Sequence, residues 1–397
     1  MKFEKKTKSI IYGMEFSNGM RRSLTLALAL IYFVYLGFNI IWITTLFAVS
    51  SILSMLFEFP TGAIADYDSR KKSLMISFIL FTIAFFGIFL SNTFWIIAGF
   101  WILQDLAWTF STGAGSAWAI DALRIAKKKS KIVNLISRGY IFEKGGHIIG
   151  GGIGLIIIAI NFRLIWLVSG LVTLSMVFII WKYMEERNFK PEKVPHNYLK
   201  KSWIKARESY NFIIHKKNRN LRVLMLSNIL GNIGWGIFYL SIPLFFAQVI
   251  GVKPEFYSGL LSIMAFVSLG GPLIAEKITN KKGFKQSLFA ISIIMSLSII
   301  ALAISNSLII ALAIFAILEI LGTIMDVIDE SASHHEFDSK IRASLGSIGS
   351  INWNISNSIG IFLAGIGIAI LGIVTTLTIS GGIVFSTAFI YLWLKEK

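Results

Sequence analysis

The chain contains no cysteine, which excludes a disulfide framework and thiolate chemistry and leaves no clue to redox compartment. Charge is scarce: 15% of residues are charged, against about 25% in a soluble domain. No Gly-Lys-Ser/Thr loop is present to cradle a phosphate, so direct coupling to ATP has no support. His334-His335-Glu336 lacks the spacing of a zinc-binding helix and reads as a solvated stretch. No nucleophile, base or metal cluster is arranged as an enzyme would need, and no cofactor or metal is expected.

What is abundant is apolar. Hydrophobic residues make up 55% of the 397 positions, and the mean hydropathy is +0.72. A bilayer-spanning helix needs ~20 apolar residues, so the long runs suffice for about a dozen spans in a multi-pass protein of the cell membrane. The net charge of +17 raises the question of nucleic acid, but the position of the charges answers it. Arg163 and Lys253 fall in connections assigned outside and Lys144 in a span. The other basic residues lie at the termini, in alternate loops or in the central connection. That is the positive-inside bias, and it places both termini in the cytoplasm. Lys2 to Lys8 is not followed by a short apolar stretch with a cleavage site, so no removable signal peptide is expected.

The spans are expected at 19–36, 39–62, 73–91, 94–118, 139–160 and 163–182, then 221–247, 255–275, 284–304, 307–328, 344–369 and 372–394. The apolar run from Ser23 to Phe57 would make about 52 Å of helix at 1.5 Å per residue. It must fold back, most simply at Gly37-Phe38-Asn39. Ser91-Asn92-Thr93, Asn161-Phe162-Arg163 and Ser305-Asn306-Ser307 are very short connections. Residues 1–182 and 221–397 therefore read as two six-helix bundles joined by a basic linker, 183–220, with ten Lys or Arg. Trp203 to Ile214 could lie on the membrane surface as an amphipathic helix, or the linker could be a plain tether.

The halves repeat. Ile64-Ala65-Asp66 with Arg70-Lys71-Lys72 corresponds to Ile274-Ala275-Glu276 with Lys281-Lys282, and Ser91-Asn92-Thr93 to Ser305-Asn306-Ser307. The offsets are 210 (274 − 64) and 214 (305 − 91) residues. Three stretches then carry a family resemblance. Gly62 to Lys71 resembles the signature loop between spans 2 and 3 of the major facilitator superfamily, Gly113 to Leu123 the end of span 4 in its drug-exporter-like branch, and Ile341 to Ser347 the entry to span 11. The chain departs at Tyr67 and Ser69, where the family's loop usually has a basic residue and a glycine, and span 5 lacks the antiporter proline. The resemblance implies an all-α integral membrane fold of twelve transmembrane helices, two pseudo-symmetric six-helix bundles with cytoplasmic termini. It also implies a small-molecule substrate and a working monomer in the lipid bilayer.

Within that frame Asp66 is physically odd, because a carboxylate at a helix C-terminus faces the negative end of the dipole. The resemblance implies that it faces the N-terminal end of span 11, with Arg342 adjacent, while Arg70 could reach Asp121. Gly62, Asp66, Arg70, Lys71, Asp121 and Arg342 are expected to form a gating latch. The bland alternative is a charged turn that only fixes topology. Glu58 belongs with that region.

Asp105 and Glu319 each lie thirteen residues after the asparagine of the matching turn (105 − 92, 319 − 306), ~18–20 Å into the span. A charge at that depth is expensive and marks a functional group by default. No basic residue in a span is expected beside either, so both are candidates for exchanging protons or recognising a cation. They could instead be neutral acids bonded between helices. Glu143 and His147 share a helix face at i, i+4 and could relay protons or simply pack. Asn228, Asn232, Trp235 and Tyr239 form a stripe suited to an amphipathic or cationic compound, or to helix packing. Asn352, Trp353, Asn354 and Asn357 are candidates to border the same cavity. Glycines of spans 5 and 11 suit close backbone packing.

These features read together as a secondary active transporter working by alternating access and driven by a proton gradient. It would export hydrophobic or cationic molecules, with Asp105 and Glu319 alternating between protons and cargo. Uptake of a metabolite by symport or uniport is the alternative, and a non-transporting receptor the alternative of another class.

Overall fold

The computed structural model describes residues 2–26, 28–112, 114–115, 117–119, 132–186, 204, 207, 210–213, 215, 218–336 and 342–395. Among these residues there is no strand. The helices are α1 (Lys2–Arg21), α2 (Ala29–Tyr35), α3 (Ile40–Ala63), α4 (Arg70–Leu90), α5 (Phe94–Ser111), α6 (Ile132–Ile160) and α7 (Leu164–Tyr183). There follow α8 (Arg219–Leu244), α9 (Pro254–Val267), α10 (Gly271–Ala303), α11 (Leu308–Glu336), α12 (Arg342–Leu371) and α13 (Ile373–Tyr391).

Ten helical stretches among the described residues are long and apolar enough to cross a membrane. Two expected spans fall short for local reasons. The first is broken, since α1 widens into a π turn at Arg22–Leu26 before α2 begins. The expected span 94–118 appears as α5, which ends at Ser111 and carries the polar pair Gln104–Asp105. The fold-back after the first apolar run occurs at Gly37, whose φ of 82° is the left-handed conformation that glycine adopts without penalty. In the second half the equivalent of the 64–72 turn is a kink inside α10 at Gly283, φ 73°. The Trp203–Ile214 helix proposed for the linker falls largely outside the described residues.

Two compact units emerge. One comprises residues 1–38, 53–199 and 253–263; the other comprises 39–52, 200–252 and 264–397. Each is built the same way. In the first, α1 packs on α6, and α4 on α5 and α7. In the second, α8 packs on α12, and α10 on α11 and α13. The glycines explain how the backbones approach. A β-carbon at Gly19 would collide with the backbone of Glu143, one at Gly146 with that of Phe16, and one at Gly360 with that of Ile233. Small residues of this kind replace the hydrophobic drive that lipid does not supply. Hydroxyls add cross-helix bonds to backbone, Ser77 to Ala107 at 2.7 Å and Ser296 to Gly381 at 2.8 Å.

The first unit has an aromatic core in which Trp166, fully buried, stacks on Phe33 at 6.0 Å and meets Tyr32, Phe85 and Trp101. The short turns before α5 and α7 are tied by a hydrogen bond from Arg163 to Asn92.

Candidate functional site

The polar centre of the first unit grows from the end of α1. A regular helix would send Arg21 and Arg22 ~100° apart. Here the π turn begins at Arg22, and both guanidinium carbons lie over one indole, Trp108 of α5, at 5.6 and 4.5 Å from its ring centre. Arg21 also lies 4.1 Å over the ring of Phe81 from α4. It is only 4% exposed, and its Nε has no hydrogen-bond partner among the described residues. Arg22 is more open and donates from Nη1 to Glu143 Oε1 at 3.1 Å. π turns of this kind recur at functional sites.

Acids surround the pair. Asp105 and Glu143 both act electrostatically on Arg21, and Glu15 feels Glu143 and Arg22. His147 lies in the field of Arg21, Arg22 and Lys144. The structure therefore brings Asp105, Glu143 and His147 to one neighbourhood. It also corrects the expectation that Asp105 has no cation near it, because Arg21, the last residue of α1, lies within its electrostatic reach. The Nε2 of Gln104 donates to Asp105 Oδ1 at 2.7 Å. Glu143, expected to pair with His147, has Arg22 as its ion-pair partner.

Glu319 belongs to the second unit, and its register matches that of Asp105. Each is eleven residues past the first residue of its helix, 105 − 94 in α5 and 319 − 308 in α11. The α8 stripe runs beside α11. Trp235 lies against Gly322, one turn beyond Glu319, and stacks on Tyr239 at 5.1 Å. Asn228 instead donates to Asp329 Oδ2 at 2.9 Å. Sequence reasoning missed Asp329, as it missed Arg21 and Arg22. The signal was available, since Asp329 and Glu330 continue the same helix just beyond residue 328, where the expected span ends. Asn357 packs against α8 at Gly236.

Of the expected latch, Asp121 lies outside the described residues, as do the side chains of Asp66 and Arg342. The α3 helix passes into a π turn at Ile64–Asp68. The N-terminus of α4 is held by Glu186, which accepts from Arg70 N at 2.7 Å, Lys71 N at 3.1 Å and Ser69 Oγ at 2.5 Å. Lys71 Nζ donates to Trp181 O at 2.9 Å. Among the described residues no group of His, Asp or Glu could hold a metal ion.

The profile of the Major Facilitator Superfamily matches residues 11–351. No curated protein matches the chain. Solved structures do, at low identity. The nucleoside transporter NupG aligns with a TM-score of 0.78 at 16% identity, covering 100% of both chains. A peptide transporter, POT, aligns with a TM-score of 0.78 at 12% identity, covering 98% of this chain and 93% of that one. A bacterial homolog of the human lysosomal transporter Spinster gives 0.71 at 14% identity over 98% and 95%.

Proposed function

The chain belongs to the Major Facilitator Superfamily, and from that premise we propose that it is a secondary active transporter coupling a small organic molecule to protons. The family places it among transporters rather than enzymes. Twelve spans, cytoplasmic termini, halves 1–182 and 221–397 joined by 183–220, a working monomer and no resident cofactor are parts of the same proposal. So is the latch of Gly62, Asp66, Arg70, Lys71, Asp121 and Arg342.

One observation carries the coupling: the carboxylates of Glu143 and Asp105 gathered about Arg21 and Arg22. In apolar surroundings such a set is stable only while its charges compensate. A proton taken by one carboxylate frees its guanidinium, so protonation and cargo binding at this place are linked, and reciprocally so.

Export of hydrophobic or cationic compounds draws its support from the likeness of Gly113 to Leu123 to the drug-exporter-like branch. Uptake by symport draws on the geometry. A carboxylate facing Arg21 is a poor seat for a cation, and the support that antiport took from an uncompensated Asp105 is gone. A receptor would bind the same ligands without counterflow.

The test is a thermal-shift screen of the purified chain with nucleosides, short peptides, aromatic carboxylates and lipophilic cations. It is followed by counterflow of each labelled hit in proteoliposomes with and without an imposed pH gradient. Counterflow that an imposed pH gradient drives uphill supports the proposal; counterflow indifferent to the gradient removes proton coupling.

A further inference from the structure

We propose that Arg21 and Arg22 bind the carboxylate of an organic anion carried by this protein, and that proton uptake by Glu143 releases Arg22 to that anion. The inference rests on the transporter reading and adds the charge of the cargo to it.

The first ground is unsatisfied chemistry. Arg21 is 4% exposed and Ser17, one turn earlier on the same face, 2% exposed; Arg21 Nε and Ser17 Oγ both lack a hydrogen-bond partner among the described residues. Buried donors are nearly always paired. Phe81 and Trp108 lie against the faces of the guanidinium and leave the in-plane Nε–H to seek an acceptor. A guanidinium presents its donors in a fork that matches a carboxylate. The second guanidinium, Arg22, lies over the same indole and is more open, so it offers the point of entry. Trp108 and Phe81 supply an apolar wall, which suits a carboxylate borne on an aromatic or otherwise apolar body.

The second ground is charge balance. Arg21, Arg22 and Lys144 stand among three acids, Glu15, Asp105 and Glu143. The set is balanced, so an added anion leaves an excess of negative charge unless a proton enters with it. Glu143 holds Arg22 at 3.1 Å and is the acid the anion must displace. The charged and titratable groups around it are Arg21, Arg22 and Glu15 from α1 and its π turn, with Lys144 and His147 on its own helix and Asp105 across from Arg21 on α5. A protonated Glu143 cannot hold Arg22, so anion and proton bind together. That is the linkage of a symporter.

The experiment uses the full chain in detergent and matched triads of probes: indole-3-acetate, its amide and tryptamine; benzoate, benzamide and benzylamine; and naphthalene carboxylate with its amide and amine. Melting temperature and binding are read at pH 6 and pH 8. At least one carboxylate should stabilise the protein, more at pH 6, while its amide and amine do not. R21Q and R21K should weaken that binding by about tenfold or more. E143Q should bind the carboxylate at pH 8 as tightly as the parent does at pH 6, a gain that misfolding cannot produce. The site fails if no carboxylate binds, if R21Q binds it as the parent does, or if E143Q shows no gain at pH 8. Counterflow separates the two proposals. Binding without counterflow sinks the transporter reading and leaves the site, whereas counterflow of the amines or amides alone sinks the site and leaves the transporter.

Discussion

The side chain of Thr44 occupies the space that a β-carbon on Gly365 would need. In the other unit Ser258 stands in the same way against Gly154, and its Oγ donates to Gly151 O at 3.0 Å. The registers coincide: Thr44 and Ser258 are each four residues past the start of α3 and α9 (44 − 40, 258 − 254), and Gly365 and Gly154 each six before the end of α12 and α6 (371 − 365, 160 − 154). Gly365→Val and Gly154→Val are each expected to destabilise by ~1–3 kcal/mol through overpacking. Thr44→Gly should recover much of the first loss and none of the second, as thermal unfolding in detergent would show. Equal rescue of both would mean that the contact is not local.

Much of the fold was legible because lipid imposes simple rules. Apolar runs gave the helices, and Gly37 gave the fold-back, where its φ of 82° now accounts for the residue. The repeat seen in Ser91-Asn92-Thr93 and Ser305-Asn306-Ser307 reappears as the common depth of Asp105 and Glu319. The arginines were not legible. Arg21 and Arg22 stand at the edge of an apolar run, where a basic residue ordinarily marks the solvated end of a span. A π turn and the rings of Phe81 and Trp108 draw them inward, and neither leaves a pattern in one sequence. Asp329 was missed for a related reason, since the expected span ends at residue 328 although α11 runs on to Glu336.

Glu186 joins the end of α7 to the start of α4, accepting from two backbone N–H groups and the Ser69 hydroxyl. A carboxylate at a helix N-terminus gains from both the free donors and the dipole. Glu186→Ala should therefore cost about 1–2 kcal/mol. Asp68→Ala, which removes only the exposed Lys72–Asp68 pair at 2.9 Å, should cost no more than ~0.5 kcal/mol. Denaturation of the two variants side by side decides whether the cap or the surface pair matters.

Asp105→Asn and Glu319→Gln should differ despite their equal depth. Asp105 helps to compensate Arg21, which is 4% exposed. Removing its charge should destabilise by about 3 kcal/mol as well as slow transport. Glu319→Gln should flatten the pH dependence of transport. Proteoliposome flux across a pH series, read beside thermal unfolding, tests both. Parent-like flux and pH profile in both variants would remove them from the coupling path.

The acid on α11 that sequence reasoning passed over yields the last expectation. Asn228 Nδ2 reaches Asp329 Oδ2 at 2.9 Å, whereas the Tyr391 hydroxyl lies 3.5 Å from Oδ1, at the limit of a useful hydrogen bond. The amide is thus the stronger partner, and it ties α8 to α11 within one unit. Asn228→Ala strips a half-buried carboxyl of its main donor and should cost about 1–3 kcal/mol. Tyr391→Phe keeps the ring, which is 2% exposed, and should cost less than 1 kcal/mol. If Asn228 serves only this bond, Asn228→Ala should cost little once Asp329→Leu is also present, because removing the amide then deprives no further polar group of a partner. A full additive penalty in the double variant would assign Asn228 a second partner, and would return it to the stripe with Asn232, Trp235 and Tyr239.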